Sequence, residues 1–172
     1  MKLKKALPIL SIASLFLSTG CIDPSKVKDK EKIVKVMAKN ISKKFKSVPQ
    51  ITIEKFRQIP KEEVVLVDVR PKVEREVSII PNAISVEEFE KNSHQYKEKK
   101  VVAYCTIGFR SSEWIKQLNK KGFKGYNLEE SILGWANRHL KLVDNKGETK
   151  RVHVYEEAWN FLPQGYEGVY SD

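Results

Sequence analysis

Apolar runs and helix-like spacings alternate along the chain beyond residue 49. Residues 64–69 and 101–105 are continuously apolar over most of their length, which is typical of strands buried on both faces. Residues 51–53 and 125–128 are shorter strand candidates. Repeated strand–loop–helix units of this size predict an α/β fold with a mostly parallel sheet covered by helices on both faces.

The segments between these strands carry helix signals. A helical turn is predicted at residues 54–58, and Ser85 is placed to cap a helix through residue 90, with Glu88 as its capping-box partner. Residues 110–121 show an apolar face and meet Gly122, a typical stop signal. Residues 132–140 predict a further helix.

The N-terminus has the organisation of an export signal. Three lysines precede an apolar run at residues 6–17, which is shorter than the ~20 residues that a membrane-spanning helix needs. Small residues then lead into Cys21, an ending that resembles a bacterial lipobox. We therefore expect residues 1–20 to be removed and Cys21 to be lipidated, which places the protein in the bacterial cell envelope, on the periplasmic or surface face of a membrane. The alternative is ordinary signal cleavage, which leaves Cys21 as a free thiol.

The net charge of +10 is concentrated in one segment. Residues 26–46 contain nine lysines and two acidic residues, whereas residues 47–172 contain 20 basic and 19 acidic side chains. The basic character is therefore a property of the segment that follows the signal, and the remainder is nearly neutral. A neutral, exported domain argues against nucleic-acid binding.

The basic segment also carries an apolar stripe. Ile33, Met37, Ile41 and Phe45 recur at every fourth position, which predicts an amphipathic helix over about residues 28–45. Basic amphipathic helices favour anionic lipid surfaces. The alternative is a solvated helix whose stripe packs on the rest of the protein.

The loop at residues 105–110 is the best candidate for chemistry. Cys105 ends a buried strand, and a helix follows the loop; sites in α/β sheets form at such carboxyl ends of strands. Backbone N–H groups of the turn and the positive end of the helix stabilise a thiolate, and Gly108 lets these groups converge. We therefore expect Cys105 to be an activated nucleophile; the alternative is a cysteine that is merely buried in the core.

A set of motifs in a fixed order carries a family resemblance. The motifs lie at residues 66–70, 74, 80–84, 105–111, 126–129 and 132–135. Together they closely resemble a single-domain rhodanese-like sulfurtransferase, from about residue 49 to residue 143. The resemblance implies a five-stranded, mostly parallel sheet and a persulfide on Cys105. It also implies that Asp68 and Arg70 support the loop and that the sulfur is held by the amides of Thr106, Ile107, Gly108, Phe109 and Arg110.

The length of the loop separates two classes of enzyme. Cysteine-dependent phosphatases have five residues between the cysteine and the arginine, whereas four separate Cys105 from Arg110. The shorter loop suits one sulfur atom better than a phosphoryl group. Arg110 is expected either to attract an anionic donor or to be a structural cation paired with Asp68 or Glu113. Thr106 holds a position that is often basic in thiosulfate-preferring members, which argues against thiosulfate as the natural donor.

These features predict four segments. They are the signal at 1–20, a basic tether with its amphipathic helix at 21–47, the rhodanese-like domain at 48–143 and an extension at 144–172. In the extension, a turn at 144–147 predicts a hairpin between residues 141–143 and 151–154. Its five aromatic residues are expected to pack on the domain; a lid or a partner surface is the alternative.

The predicted function is transfer of a sulfane sulfur from a small donor to a thiol or to cyanide through Cys105. No cofactor is implied, and the two cysteines and three histidines show no metal-ligand spacing. If Cys21 is acylated, Cys105 is the only free thiol, and its susceptibility to oxidation in an oxidising compartment implies a reducing partner or a thiol acceptor. The alternative is a non-catalytic binding or redox-sensing module at the membrane surface.

Overall fold

The computed structural model of the protein describes residues 23–170. The predicted signal peptide and Cys21 lie outside the described residues. Within the described part, no helix combines the length and the apolar character that crossing a membrane requires.

A five-stranded parallel sheet forms the centre of the fold. Its strands are β1 (Gln50–Ile51), β2 (Val64–Asp68), β3 (Ile84–Ser85), β4 (Lys100–Tyr104) and β5 (Lys124–Leu128). They are arranged in the order β1-β5-β4-β2-β3, and every neighbouring pair is parallel. Each residue from Val101 to Tyr104 is buried, and consecutive strand residues point to opposite faces, so both faces of β4 are covered. The predicted α/β fold is confirmed.

Within residues 23–170, six α-helices surround this sheet. They are α1 (Lys30–Lys44), α2 (Ile53–Arg57), α3 (Lys72–Val77), α4 (Val86–Lys91), α5 (Phe109–Lys120) and α6 (Ser131–Asn137). The Ser85 hydroxyl accepts a hydrogen bond from the Glu88 N–H at 3.1 Å, as the capping-box pattern predicted. The strand predicted at residues 51–53 is shorter, because Thr52 caps α2 and Ile53 already belongs to that helix. Helix α6 ends three residues early, since His139 has a left-handed φ of +52°.

Helix α1 packs on the folded domain. Asp29 caps the helix by accepting a hydrogen bond from the Lys32 N–H at 2.9 Å. The apolar stripe is buried at Val34, Met37 and Ile41, and α1 lies beside α6. Of the two alternatives for this stripe, the structure therefore shows packing on the domain, and the stripe is unavailable to lipid.

The extension forms two small two-stranded sheets. Strand β6 (Leu142–Asp144) pairs antiparallel with β7 (Gly147–Thr149), and β8 (Arg151–His153) pairs parallel with β9 (Glu167–Val169). The predicted second strand of the hairpin, at 151–154, was therefore wrong. The Asp144 carboxylate accepts hydrogen bonds from the N–H groups of Lys146 and Gly147, so the chain reverses at once and the returning strand begins at Gly147.

Candidate active site

Cys105 follows the last residue of β4 and precedes the turn that leads into α5. Its side chain is reduced and buried, with the residue 1% exposed. The thiol therefore lies at the carboxyl end of the central strand, where the sequence placed it, and the loop at residues 106–110 follows it.

Hydrogen-bond donors from Gly108 and Ser111 face the Cys105 sulfur. The Gly108 N–H lies 3.1 Å from Sγ, and the Ser111 hydroxyl lies 3.6 Å from it. Gly108 has a φ of +114°, which L-residues rarely adopt, and an added Cβ would lie 3.1 Å from the Asn127 side-chain amide. Glycine is thus needed both for the backbone conformation and for the space beneath the loop.

These groups favour the thiolate. Burial alone would raise the pKa of Cys105, but the nearby Arg110 guanidinium and the hydrogen bonds from Ser111 and Gly108 outweigh it and lower the pKa below its ordinary value. A buried thiol whose pKa is lowered by a specific charge and by fixed donors is a candidate nucleophile.

The start of α6 holds the loop from below. The N–H groups of Ile132 and Leu133 donate to the carbonyls of Cys105 and Thr106, each at 3.2 Å. The Ser131 hydroxyl accepts from the Cys105 N–H, also at 3.2 Å. Since the first N–H groups of a helix lack partners within it, these bonds satisfy α6 and turn the loop carbonyls away from the sulfur.

Arg110 is a paired cation in this structure. Its two terminal nitrogens donate to the two carboxylate oxygens of Glu74 at 2.6 and 2.8 Å, and one of them also donates to the Thr106 hydroxyl at 3.0 Å. The predicted partners, Asp68 and Glu113, were wrong. Although burial opposes the charge, the bonds to Glu74 raise the pKa of Arg110, so its charge persists beside the sulfur.

Asp68 and Arg70 form a second, fully buried pair. The Arg70 guanidinium donates to the Asp68 carboxylate at 2.7 to 3.2 Å and to the Ser78 carbonyl at 2.6 Å. The pair ties the end of β2 to the segment after α3. Neither side chain has a hydrogen bond to the cysteine loop, so any support of the loop passes through the neighbouring β4.

Asn127 and Gln50 extend the polar contacts behind the sulfur. The Ser111 hydroxyl lies 2.6 Å from the Asn127 Oδ1, and the Asn127 Nδ2 donates to the Gln50 Oε1 at 2.7 Å. This chain of contacts fixes the position of the Ser111 hydroxyl that faces Cys105.

Two aromatic residues of the extension complete the site. We call Tyr155 and Trp159 the aromatic cover. They line a cavity of about 20 Å³ together with Cys105, Thr106, Ile107, Phe109 and Arg110. The Arg110 guanidinium lies 5.8 Å from the centre of the Tyr155 ring. Elsewhere in the extension, Phe161 is buried in the core.

The buried loop residues also connect the site to α1. Phe109 meets the ring of Phe45, which follows α1, edge to face with centroids 5.2 Å apart. Within residues 23–170, no cluster of three or more histidine, cysteine or acidic side chains is arranged to hold a metal ion.

Comparison with known proteins identifies this architecture. Residues 52–138, half of the chain, match the family model described as "Rhodanese-like domain". The chain belongs to the rhodanese-like domain family.

Relatives of this rhodanese-like domain carry two different activity names. A "Sulfurtransferase" of Allochromatium vinosum is 32% identical over 90 residues, which cover 50% of this chain and 84% of that protein. A "tRNA uridine(34) hydroxylase" of Legionella pneumophila (strain Paris) is 27% identical over 124 residues, 66% of this chain and 49% of that protein. The chain thus spans about half the length of the hydroxylase that it matches.

A solved structure supports the fold of the rhodanese-like domain. The thiosulfate sulfurtransferase from Pseudomonas aeruginosa superposes with a TM-score of 0.53 and 20% identity, covering 64% of this chain and 23% of that one. At this identity the similarity shows the fold alone.

Sequence reasoning identified the candidate nucleophile of the rhodanese-like domain, Cys105, but not all of the groups around it. The motifs that carried the resemblance include Glu74, Ser111 and Asn127. Nothing in the local sequence indicated that Glu74 pairs with Arg110, that the Ser111 hydroxyl faces the Cys105 sulfur, or that Asn127 contacts Ser111. Tyr155 and Trp159 lie outside those motifs, and the density of aromatic residues in the extension was their only signal.

Proposed function

We propose that the protein is a sulfurtransferase in which Cys105 carries the sulfur as a persulfide. The Cys105 thiolate attacks the sulfane sulfur of a donor, a new S–S bond forms, and the donor's bond to that sulfur breaks. The rest of the donor leaves with the bonding electron pair, as sulfite from thiosulfate or as a thiolate from an organic persulfide. An acceptor thiolate or cyanide then takes the outer sulfur and restores the Cys105 thiolate.

The observation that carries this proposal is the position of the Cys105 sulfur in its short loop. The Gly108 N–H at 3.1 Å, the Ser111 hydroxyl and the nearby charge of Arg110 are placed to stabilise an anionic sulfur. The cavity of about 20 Å³ has room for about one water-sized group, which suits one added sulfur atom. The cycle needs no cofactor from the protein.

Mass spectrometry of the purified protein tests the proposal. After exposure to a sulfane donor, we expect wild type to gain the mass of one sulfur atom on the peptide that contains Cys105 and to lose it again when cyanide or a thiol is added. Cys21→Ser should retain this adduct, whereas Cys105→Ser should lack it. Absence of the adduct with thiosulfate, polysulfide and an organic persulfide would favour the non-catalytic binding or redox-sensing module instead.

A second candidate activity comes from the Legionella relative. Its name specifies hydroxylation of tRNA, and the similarity extends over 66% of this chain. A filter-binding assay with tRNA over a range of salt concentrations tests this alternative, because contacts to phosphates give a steep salt dependence. We expect no retention at physiological salt; salt-dependent retention together with no sulfur adduct would support the alternative.

We further propose that the protein is exported and held at a bacterial membrane. The sequence of residues 1–21 supports this, and so does the exposed face of α1, where Lys32, Lys35, Lys39 and Lys43 lie in solvent. Incorporation of labelled palmitate into wild type but not into Cys21→Ser is the expected result. Its absence in both would contradict lipidation.

The basic face is tested with vesicles. Near an anionic surface each lysine contributes about 1 kcal/mol, so Lys39→Glu with Lys43→Glu should weaken binding to phosphatidylglycerol vesicles about 30-fold or more. The matched control is Lys116→Glu with Lys120→Glu on the exposed side of α5, which should leave binding within about twofold of wild type. Equal effects of the two pairs would refute a role for this face of α1. Because lipidation and the vesicle effect are measured separately, either can fail alone.

A further inference from the structure

The aromatic cover lies outside the part of the chain that the family model matches. The match ends at residue 138, whereas Tyr155 and Trp159 come from the extension. Their rings meet at 73° with centroids 6.2 Å apart, and both line the cavity in front of the nucleophile. We propose that Tyr155 and Trp159 determine the donor, admitting thin organic persulfides or polysulfides and disfavouring tetrahedral oxyanion donors such as thiosulfate. This inference rests on the proposed sulfurtransferase function.

The size of the cavity provides the first argument. A volume of about 20 Å³ accommodates one water-sized group, which requires about 10–15 Å³. In an organic persulfide, the outer sulfur is followed by one divalent sulfur and a single chain, so the outer atom can enter while the rest stays outside. In thiosulfate, the sulfane sulfur is bonded directly to a sulfonate group, which must come up against the two rings.

The charges around the cavity provide the second argument. Both terminal nitrogens of Arg110 are engaged by the Glu74 carboxylate, so the guanidinium offers no free fork to a sulfonate. Glu156 and Glu157 are exposed on the segment between the two rings and add negative charge there. Arg110 is the one cation among the described residues that line the cavity, and Glu74 neutralises it. The charge of a sulfonate next to the transferred sulfur therefore meets more repulsion than an uncharged R–S group does.

The position of the cover is fixed by specific contacts. Tyr155 has a φ of +77°, a conformation that L-residues rarely adopt, and its N–H donates to the His153 Nδ1 at 3.2 Å. Non-glycine residues in this conformation persist only where their surroundings hold them, and they cluster at ligand sites. The extension thus holds the Tyr155 ring against Arg110 at the expense of local strain.

The step that fits this cover balances without an added oxidant. The Cys105 thiolate attacks the outer sulfur of R–S–SH, the new S–S bond forms and the donor's S–S bond breaks. R–S⁻ leaves with the electron pair, and the proton stays on the transferred sulfur. The cavity then holds that one sulfur atom, and the thiolate R–S⁻ departs without having entered it.

The test compares two donors and four variants of the full-length protein. The rate of sulfur-adduct formation on Cys105 is measured with thiosulfate and with glutathione persulfide, in Tyr155→Gly, Trp159→Ala, Trp159→Phe and the control Tyr170→Ala. Glycine at position 155 tolerates the positive φ. Tyr170 is an exposed aromatic residue of the same extension that does not line the cavity. Alkylation of Cys105 by iodoacetamide reports its accessibility without any sulfur transfer.

We expect the rate of adduct formation with thiosulfate to rise about tenfold or more in Tyr155→Gly and Trp159→Ala, because a steric misfit in an apolar pocket typically has an effect of this size. The rate with glutathione persulfide should change by less than about threefold. Trp159→Phe should be intermediate, and it remains informative if Trp159→Ala does not fold. Adduct formation in wild type with an unchanged ratio of the two rates in folded variants would overturn this inference and leave the proposed function standing. No adduct with thiosulfate, glutathione persulfide or polysulfide would overturn the proposed function and the donor assignment with it, whatever the alkylation rates show about the accessibility of Cys105.

Discussion

Replacing Ser111 by alanine should raise the pKa of Cys105 without otherwise altering the loop. The Ser111 hydroxyl lies 3.6 Å from the Cys105 sulfur and 2.6 Å from Asn127 Oδ1, and its single proton is shared between these two acceptors. We therefore take the lower end of the range for a hydrogen bond to a charged group, about 1.5 kcal/mol. At 1.36 kcal/mol for each pKa unit, this corresponds to a rise of about one unit in Ser111→Ala.

Alkylation by iodoacetamide as a function of pH measures this change. Below both pKa values, Ser111→Ala has about tenfold less thiolate, but a thiolate of higher pKa is about threefold more nucleophilic for each unit. The variant should therefore react about three- to fourfold more slowly at low pH and about threefold faster on the high-pH plateau. Two rate profiles that cross distinguish a pKa change from a simple change in accessibility.

The neighbouring serine provides a matched control. Ser112 is as buried as Ser111, but its hydroxyl donates to the Gly108 carbonyl at 2.7 Å and does not contact the sulfur. Ser112→Ala should keep the profile of wild type. Ser111→Ala should also lose about 1–3 kcal/mol of unfolding free energy, since it leaves Asn127 Oδ1 without this donor. An unchanged Cys105 pKa in Ser111→Ala, or an equal shift in Ser112→Ala, would refute the assigned role.

Three further predictions concern stability. Glu74→Gln leaves the partly buried Arg110 guanidinium without its carboxylate and should lose about 3 kcal/mol of unfolding free energy, measured in urea. The exposed control Glu76→Gln should change that free energy by less than about 0.5 kcal/mol. Equal losses in the two variants would contradict the ion pair. Burial lowers the pKa of His153 below 6.5, so its neutral form contributes stability above pH 6.5 that is lost as the pH falls below that value. His153→Asn keeps an acceptor for the Tyr155 N–H and should lose less unfolding free energy than wild type between about pH 7 and 5. Parallel stability curves for the two proteins would exclude this role of His153. Asn82 has a φ of +65°, so Asn82→Ala should lower the midpoint of thermal unfolding by the equivalent of about 1 kcal/mol, whereas Asn82→Gly should not. Similar midpoints for the two variants would show that the turn relaxes.

The features that the sequence predicted well are those with a local cause. Strands β2 and β4 are apolar runs that no helix pattern fits, and Cys105 follows such a run directly. Once the order of the units predicts parallel strands, the carboxyl end of a central strand is the expected place for a site. Cys105 and its loop could therefore be proposed as the site from the sequence alone, and Gly108 shows the backbone conformation that a tight turn of amides requires.

The features that the sequence could not predict depend on which distant groups meet. Arg110 pairs with Glu74, 36 residues away, rather than with its predicted partners. Asp68 is already engaged by Arg70, and Glu113 points into solvent on α5. A charge pattern does not reveal such competition, because it is decided by packing.

The extension shows the same limit. The turn between β6 and β7 was predicted from its own residues. Whether residues 147–149 or 151–154 form the returning strand depends on contacts with distant parts of the chain. Strand β8 pairs instead with β9, which lies 16 positions further along the chain, and this parallel pairing brings the extension back past the site. The position of Trp159 over Cys105 follows from that pairing and from no feature of its own sequence.

If Cys21 is lipidated as proposed, the burial of the α1 stripe limits how far the domain can lie from the membrane. Lys30 begins α1, which is fixed to the domain, Pro24–Lys26 form a 3-10 helix and Val27 packs against the core. Nine residues at about 3.3–3.6 Å each therefore give an upper limit of about 30 Å for the distance from Cys21 to Lys30. With a lipid on Cys21, the Cys105 persulfide would serve only acceptors that come within a thin layer above the bilayer. The distance of an acceptor from the membrane, as well as its chemistry, would then determine whether it receives the sulfur.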